Sequence, residues 1–316
     1  MELGTLNKLD KKQFLYELRD YLIPYQDNIG IEDKYSFGIE IEFVGSKHCD
    51  IEEIIKKRFI DNWIIVHDQS LNDGNYLNLK RNIYGGEVVS RKLCDNSKNW
   101  KEIKKICDML KANGSYVNKN CGGHVHVGSQ ILKNKKSLKR FLKLWTVFED
   151  VIYHFSYGED LSYRNMIEMY AMCLSNTLKQ FLDESDKINV HKLNKYLKFY
   201  RVYGVSLKKT YAIGKNLPGN TIEFRCPNGT LNAIIWQNNI NFFLKLLLRC
   251  NEKGNWDIVD KYLKDYKPQK YNLHEYDKTN IEKALILSDF VFDEEMDKRN
   301  FMKQYVKNGE NQKITY

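Results

Sequence analysis

Two glutamates one residue apart, Glu40 and Glu42, stand in the run Tyr35-Ser36-Phe37-Gly38-Ile39-Glu40-Ile41-Glu42-Phe43-Val44. Successive side chains of a strand point to opposite faces. This alternation therefore puts both carboxylates on one face and Ile39, Ile41 and Phe43 on the other. Two carboxylates sharing a face repel each other and resist desolvation, so water, a basic neighbour or a divalent cation must compensate. A solvated acidic face of an antiparallel sheet satisfies the same pattern.

Three more stretches offer partners. Glu87 is the one charge in residues 84–90; His124 and His126 alternate with Val125 and Val127 behind Gly122-Gly123; Thr221, Glu223 and Arg225 share one face of residues 220–226. Taken singly, each has an ordinary reading: Glu87 as an isolated charge, and Glu223 with Arg225 as a surface ion pair of little energetic weight. The histidine pair behind two glycines is the most specific. If these strands share a sheet and their polar faces coincide, oxygen donors dominate one surface, which suits Mg²⁺ or Mn²⁺; the imidazoles admit Mn²⁺ or Zn²⁺. Arg225 adds a permanently charged fork matched to phosphate. A carboxylate cluster facing basic groups is what a nucleoside triphosphate needs for phosphoryl transfer.

The surrounding pattern supplies elements to carry these residues. A helical lead-in spans residues 10–25, with Asp10 as N-cap, Phe14, Leu15, Leu18 and Leu22 at helical spacing, and Pro24 near its stop. Residues 50–59 read as a short helix, 63–67 as a buried strand, and Asp73-Gly74-Asn75 as a loop or hairpin. Helices are expected over 99–113 with Gly114 as C-cap, 137–157, 163–182 and 232–250. In the second of these Phe141, Leu144, Trp145, Phe148, Val151, Ile152 and Phe155 keep a 3.6-residue rhythm. Beyond residue 251 the chain is polar and helix-prone, anchored by Ile281, Leu285, Phe290 and Phe292. This divides the chain into a lead-in (1–34), a central region (35–250) that holds the four stretches, and a C-terminal helical appendage (251–316).

The 316 residues can bury a substantial core, and 42% hydrophobic with 13% aromatic content indicates a folded globular protein. Apolar runs are too short or interrupted to span a bilayer, and the N-terminus lacks a secretory pattern, so a cytoplasmic location with no membrane partner is expected. Seven scattered cysteines without a CxxC pair suit reduced thiols. The net charge of +9 favours an anionic partner: nucleotide, acidic peptide or nucleic acid. The basic run from Lys133 to Lys143 is a solvated face or a guide for an anion; it lacks the interleaved aromatics that stack on bases, which counts against nucleic acid.

The ordered set Gly38-Ile39-Glu40-Ile41-Glu42, Asp68-Gln69-Ser70-Leu71, Gly86-Glu87-Val88-Val89-Ser90, Gly122-Gly123-His124-Val125-His126-Val127-Gly128 and Thr221-Ile222-Glu223-Phe224-Arg225, followed by Asn228-Gly229-Thr230, resembles the amidoligase family, carboxylate–amine ligases that share a fold with glutamine synthetase and glutamate–cysteine ligase. The likeness runs from about residue 35 to 250, with Gln69 where a glycine is expected and Arg91 where a proline is common. It implies an α+β fold: a curved, mostly antiparallel catalytic sheet with flanking helices, whose concave face binds ATP and Mg²⁺, with Mn²⁺ as substitute. Glu40, Glu42, Glu87, His126 and Glu223 would be metal ligands, Glu87 and Arg225 catalytic, and His124, Arg225, a helix-borne Arg164 and Arg201 would meet the nucleotide.

The implied reaction joins a carboxylate-bearing substrate, a peptide or protein among the options, to an amine through an acyl phosphate. Phosphorylation gives a poor electrophile a leaving group, and Asp68 is the candidate base for the amine. A metal-dependent hydrolase or phosphotransferase using the same cluster, and a non-catalytic nucleic-acid binder, are the alternatives. All metal-based readings require Glu40 and Glu42 to face His126 and Glu223; side chains pointing to opposite sides of the sheet in a structure would refute them.

Overall fold

The run with alternating glutamates forms β1 (Phe37–Val44), and its apolar residues Phe37, Ile39, Ile41 and Phe43 are buried on one side. The computed structural model describes residues 2–58, 63–67, 71, 85–165, 167–184, 190–196, 202–254, 256–267 and 280–307. In chain order, α1 (Lys8–Glu17) precedes β1, and then come α2 (His48–Arg58), β2 (Ile64–Val66), β3 (Gly85–Val89), α3 (Ser97–Ala112), β4 (Gly123–Gly128), α4 (Lys135–Ser156), α5 (Ile167–Tyr170), α6 (Ser175–Glu184), α7 (Val190–Tyr196), β5 (Val205–Ser206), β6 (Thr221–Phe224), α8 (Ala233–Arg249), α9 (Asp257–Asp265), α10 (Ile281–Val291) and α11 (Glu295–Val306). The six strands form one sheet in the order β2-β3-β1-β4-β6-β5, every neighbouring pair antiparallel. The fold is α+β.

The apolar face of the sheet rests on helices. Phe37 stacks on Trp100 of α3 with ring centroids 5.2 Å apart, while Phe224 of β6 stacks on Phe243 of α8 at 4.0 Å and meets Trp145 of α4 at 5.8 Å. Every apolar position of the rhythm in α4 named above is buried. The C-terminal helices join the same core: Phe301 of α11 stacks on Phe155 of α4 at 4.6 Å and lies 5.1 Å from Phe242 of α8. The N-terminal segment is tied to this layer as well, through the reciprocal bonds Gln26 N–H to Gln237 (2.7 Å) and Gln237 Nε2 to the Gln26 carbonyl (2.8 Å). The other face of the sheet carries Glu40, Glu42, Glu87, His124, His126 and Glu223.

Several expectations need correction. The first helix begins one turn earlier, capped by Asn7, whose side chain accepts the N–H groups of Leu9 and Asp10; it ends at Glu17, and Leu22 is exposed. Asn and Asp are equally good caps, so local sequence did not separate them. The 63–67 strand is not buried: β2 is an edge strand with Ile64 and Val66 exposed, although Trp63 is buried. The continuous helix over 163–182 is broken into α5 and α6. Between them the backbone of Met172 pairs with the chain around Tyr203, and Glu149, buried in α4, accepts the N–H groups of Leu174 (2.6 Å) and Ser175 (2.8 Å). These long-range bonds replace helical ones. The loop assigned around Asp73 lies outside the described residues. All seven cysteines are free thiols.

The chain entering β1 is fixed by one buried carboxylate: Asp95 accepts the N–H groups of Ile29 (2.9 Å) and Ile31 (2.8 Å) and the Nε1–H of Trp100 (2.7 Å). Removing it leaves buried donors unpaired, each costing about 1–3 kcal/mol. Asp95→Ala is expected to lower unfolding stability by roughly 3–5 kcal/mol in a urea titration, whereas Glu53→Ala, which breaks an exposed pair with Lys57, should leave the urea midpoint essentially unchanged.

Candidate active site

The antiparallel register brings the polar residues together. Glu42 lies opposite Glu87, Glu40 opposite His124, Gly38 opposite His126, and His126 opposite Glu223. Directly opposed residues project to the same face, so all six side chains share one surface, as the strand readings require. Glu40 is the centre: His124 Nδ1 lies 2.6 Å from its Oε2 and His126 Nε2 2.8 Å from its Oε1. Around this pair His124 Nε2 is 3.7 Å from Glu42, His124 Nδ1 is 3.9 Å from Glu87, and His126 Nε2 is 4.0 Å from Glu223.

Burial raises the cost of each charge here, and neighbours answer it. Burial by itself would raise the Glu40 carboxyl, yet the hydrogen bonds from His124 and His126 hold it well below the ordinary carboxylate range. Glu223 is likewise pushed up by burial but lowered overall by Arg225 and the two histidines. Glu42 accepts the backbone N–H of Gly122. The donor atoms of Glu40, Glu87 and His124 lie within 4.8 Å of one another, as do those of Glu40, His126 and Glu223. Two overlapping groups with a common glutamate can thus hold divalent cations.

Two arginines border the carboxylates. Arg225, just past β6, donates to Glu223 and, from Nε, to the Tyr170 carbonyl at 3.1 Å. Arg164 is buried in a non-helical segment, which corrects its expected place on a helix; its guanidinium donates to the carbonyls of Pro227 (3.2 Å) and Arg225 (3.1 Å). Burial lowers its proton affinity, with the Glu42 carboxylate opposing. The glycines ahead of the histidines make this packing possible. A Cβ on Gly122 would lie 1.3 Å from Arg164 Nη1, and one on Gly123 would lie 2.8 Å from the Trp236 ring.

A cavity of about 330 Å³ is lined by Glu40, Glu42, Glu87, His124, Glu223, Arg164 and Arg225, with Asn120, Tyr170 and Lys209. A larger one of about 640 Å³ adjoins it, sharing Glu40 and Lys209 and bounded by His126, Ser90 and the segment 216–221. Asn120 and Lys209 come from two connections and Tyr170 from the end of α5; none of them stands in a motif, so no sequence signal marks them. Asp68 and Arg201 lie outside the described residues. In the basic run, Lys143 pairs with Asp260 at 2.6 Å and Arg140 lies over Trp256. No helix among the described residues is long and apolar enough to cross a membrane.

An antiparallel sheet with helices behind it, and a cation-competent cluster of carboxylates and imidazoles flanked by arginines on its other face, define a class of metal-competent α+β enzymes. Residues 33–247 match the family described as "Putative amidoligase enzyme", and the chain belongs to this amidoligase family. Membership makes it an enzyme of the ligase type. No curated protein matches the chain.

Two outcomes follow from this geometry. Gly122→Ala drives a methyl group into the Arg164 guanidinium, and stability is expected to fall by about 1–3 kcal/mol, read by thermal unfolding, with Arg164 displaced in a crystal structure. The lowered carboxyls of Glu40 and Glu223 contribute stability that is full above the unfolded carboxylate pKa of about 4.3 and is lost as pH falls through it toward the lower folded values. Glu40→Gln is therefore expected to flatten the decline of stability between about pH 5 and 3, measured by urea titrations across that range.

Proposed function

We propose that the chain is an ATP- and divalent-cation-dependent carboxylate–amine ligase, which activates a carboxylate by phosphorylation and joins it to an amine. The observation that carries this reading is the convergence of Glu40, Glu42, Glu87, His124, His126 and Glu223 on one sheet face beside Arg164 and Arg225. The site fits hard cations. Oxygen donors dominate it, and His124 Nε2 is buried without a hydrogen-bond partner. Glu40, Glu87 and His124 would hold one Mg²⁺ or Mn²⁺, and Glu40, His126 and Glu223 another, with Glu42 beside them. Bound there, such ions neutralise charge on phosphoryl oxygens.

The chain's own groups do the rest. Arg225 presents its fork beside Glu223, where it faces the transferred phosphoryl group, and Arg164 holds positive charge between Glu42 and the Arg225 backbone. The larger cavity, with the backbones of Gly38, Gly128 and Gly219 and the side chains of Leu217 and Pro218 along its walls, suits the flat apolar base of a nucleotide, and its size falls within the range of small-molecule pockets. The smaller polar cavity then receives the acceptor carboxylate. Asp68 is the proposed base for the amine.

The reading is tested by ADP release from ATP with Mg²⁺ across panels of carboxylates and amines. ADP and phosphate are expected only when both are present, and Glu40→Gln or Glu223→Gln should lower turnover on the order of 10²-fold or more. Cleavage of an amide or ester by water without ATP would instead identify a metal-dependent hydrolase. Mg²⁺ or Mn²⁺ alone should raise the unfolding midpoint, by about 2.7 kcal/mol of stability at a hundredfold excess over Kd, and Glu40→Gln should reduce that gain.

A further inference from the structure

Among the basic residues around the two cavities, Lys209 is the one that lines both. The others are engaged. Arg225 donates to Glu223 and the Tyr170 carbonyl, and Arg164 donates to two carbonyls. Arg91 is bound to Glu102 at 2.9 Å and Asn99 at 2.8 Å, and Lys92 reaches Asn216 at 3.0 Å. Lys209 is exposed and has no ion-pair partner among the described residues.

The backbone that carries Lys209 is fixed. Its neighbour Thr210 is fully buried, with its N–H bonded to the Leu207 carbonyl at 2.9 Å and its hydroxyl donating to the Thr221 carbonyl at 2.7 Å. The buried side chain of Asn220 closes the connection between β5 and β6: its Oδ1 accepts from the N–H groups of Tyr211 (3.0 Å) and Ala212 (3.2 Å), while its Nδ2 donates to the carbonyls of Ala212 (2.6 Å) and Lys215 (2.8 Å). The Asn220 carbonyl in turn accepts the N–H of Ser129 at 2.9 Å. A lysine on such a connection is held in place at its Cα while its ammonium stays available.

We propose that Lys209 binds the phosphate chain of the nucleotide where it passes from the larger cavity into the carboxylate cluster; this rests on the ATP-dependent reading above. A ligand spanning both cavities must pass Glu40, the carboxylate they share. A polyanion crossing there meets like charge and needs a cation at the junction. A compact ammonium on a long stem serves a chain of phosphates as a point charge, without the fixed geometry of an arginine fork.

The test is calorimetric titration of the full chain with the β,γ-imido analogue of ATP in Mg²⁺, for wild type, Lys209→Ala and Lys209→Arg, with adenosine binding followed by ligand-observed NMR. Lys209→Ala is expected to weaken the analogue roughly 10- to 100-fold, leave adenosine unchanged and keep the ligand-free unfolding midpoint; Lys209→Arg should recover most of the affinity. Unchanged affinity of Lys209→Ala for the analogue overturns the inference while leaving the ligase reading intact. Equal loss for analogue and adenosine also overturns it, since Lys209 would then act on the cavity's shape. A wild type that binds no analogue removes the ligase reading and this inference with it.

Discussion

The structure is organised around the repulsion among four carboxylates crowded on one sheet face. Glu40, Glu42, Glu87 and Glu223 are largely withdrawn from water, and each such charge is costly unless something nearby answers it. The answer is distributed: both imidazoles bracket Glu40, the Gly122 N–H serves Glu42, and Arg225 serves Glu223. The remaining excess of negative charge makes this face a natural seat for a divalent cation. A sheet that carries such a face must gain its stability elsewhere, and the continuous aromatic and aliphatic layer under the opposite face provides it.

Holding opposed charges a few ångströms apart needs rigid elements and a close approach of backbones. The register of β1, β3, β4 and β6 fixes which residues oppose each other, so a shift by one residue would turn the carboxylates into the core. Gly122 leaves the space that the Arg164 guanidinium occupies, and Gly123 lets Trp236 pack against the start of β4. Behind the sheet, α4 reaches forward through Glu149 and Tyr153: the first accepts from Leu174 and Ser175, the second donates to the Ala171 carbonyl at 2.8 Å. The carbonyl of Tyr170, at the edge of this anchored segment, fixes Arg225. The polar face and the helical layer are thus mechanically continuous.

The two cavities differ in their walls. The smaller is lined mainly by charged groups, while the larger offers more backbone and apolar surface. Their shared boundary at Glu40 makes one carboxylate neighbour to both. The register explains why Glu40, rather than the more deeply buried Glu42, receives both histidines: it stands directly opposite His124 and two residues from Gly38, which opposes His126.

Much of the site was legible in the sequence because strand side chains alternate with a period of two: Glu40 with Glu42, His124 with His126, and Glu223 with Arg225 each had to share a face, and the apolar rhythm of α4 had to be core. Such local periodicity fixes which side of an element is polar. It does not fix strand order, and only the sheet decided that the polar faces coincide. The same limit explains the errors. Residues 163–182 carry a helical pattern, yet backbone pairing with the Tyr203 segment and capture by Glu149 break it, and Arg164 turns inward from an irregular stretch. Trp63 to His67 is apolar enough for a core strand, but strand order put β2 at an edge. Lys209 and Asn120, on connections, and Tyr170, at the end of α5, reach the site because contacts far away in the chain set the course of those segments. Residue type and spacing determined the chemistry available to this protein; hydrogen bonds between distant segments decided where that chemistry converges, because they depend on proximity in space, which no local pattern encodes.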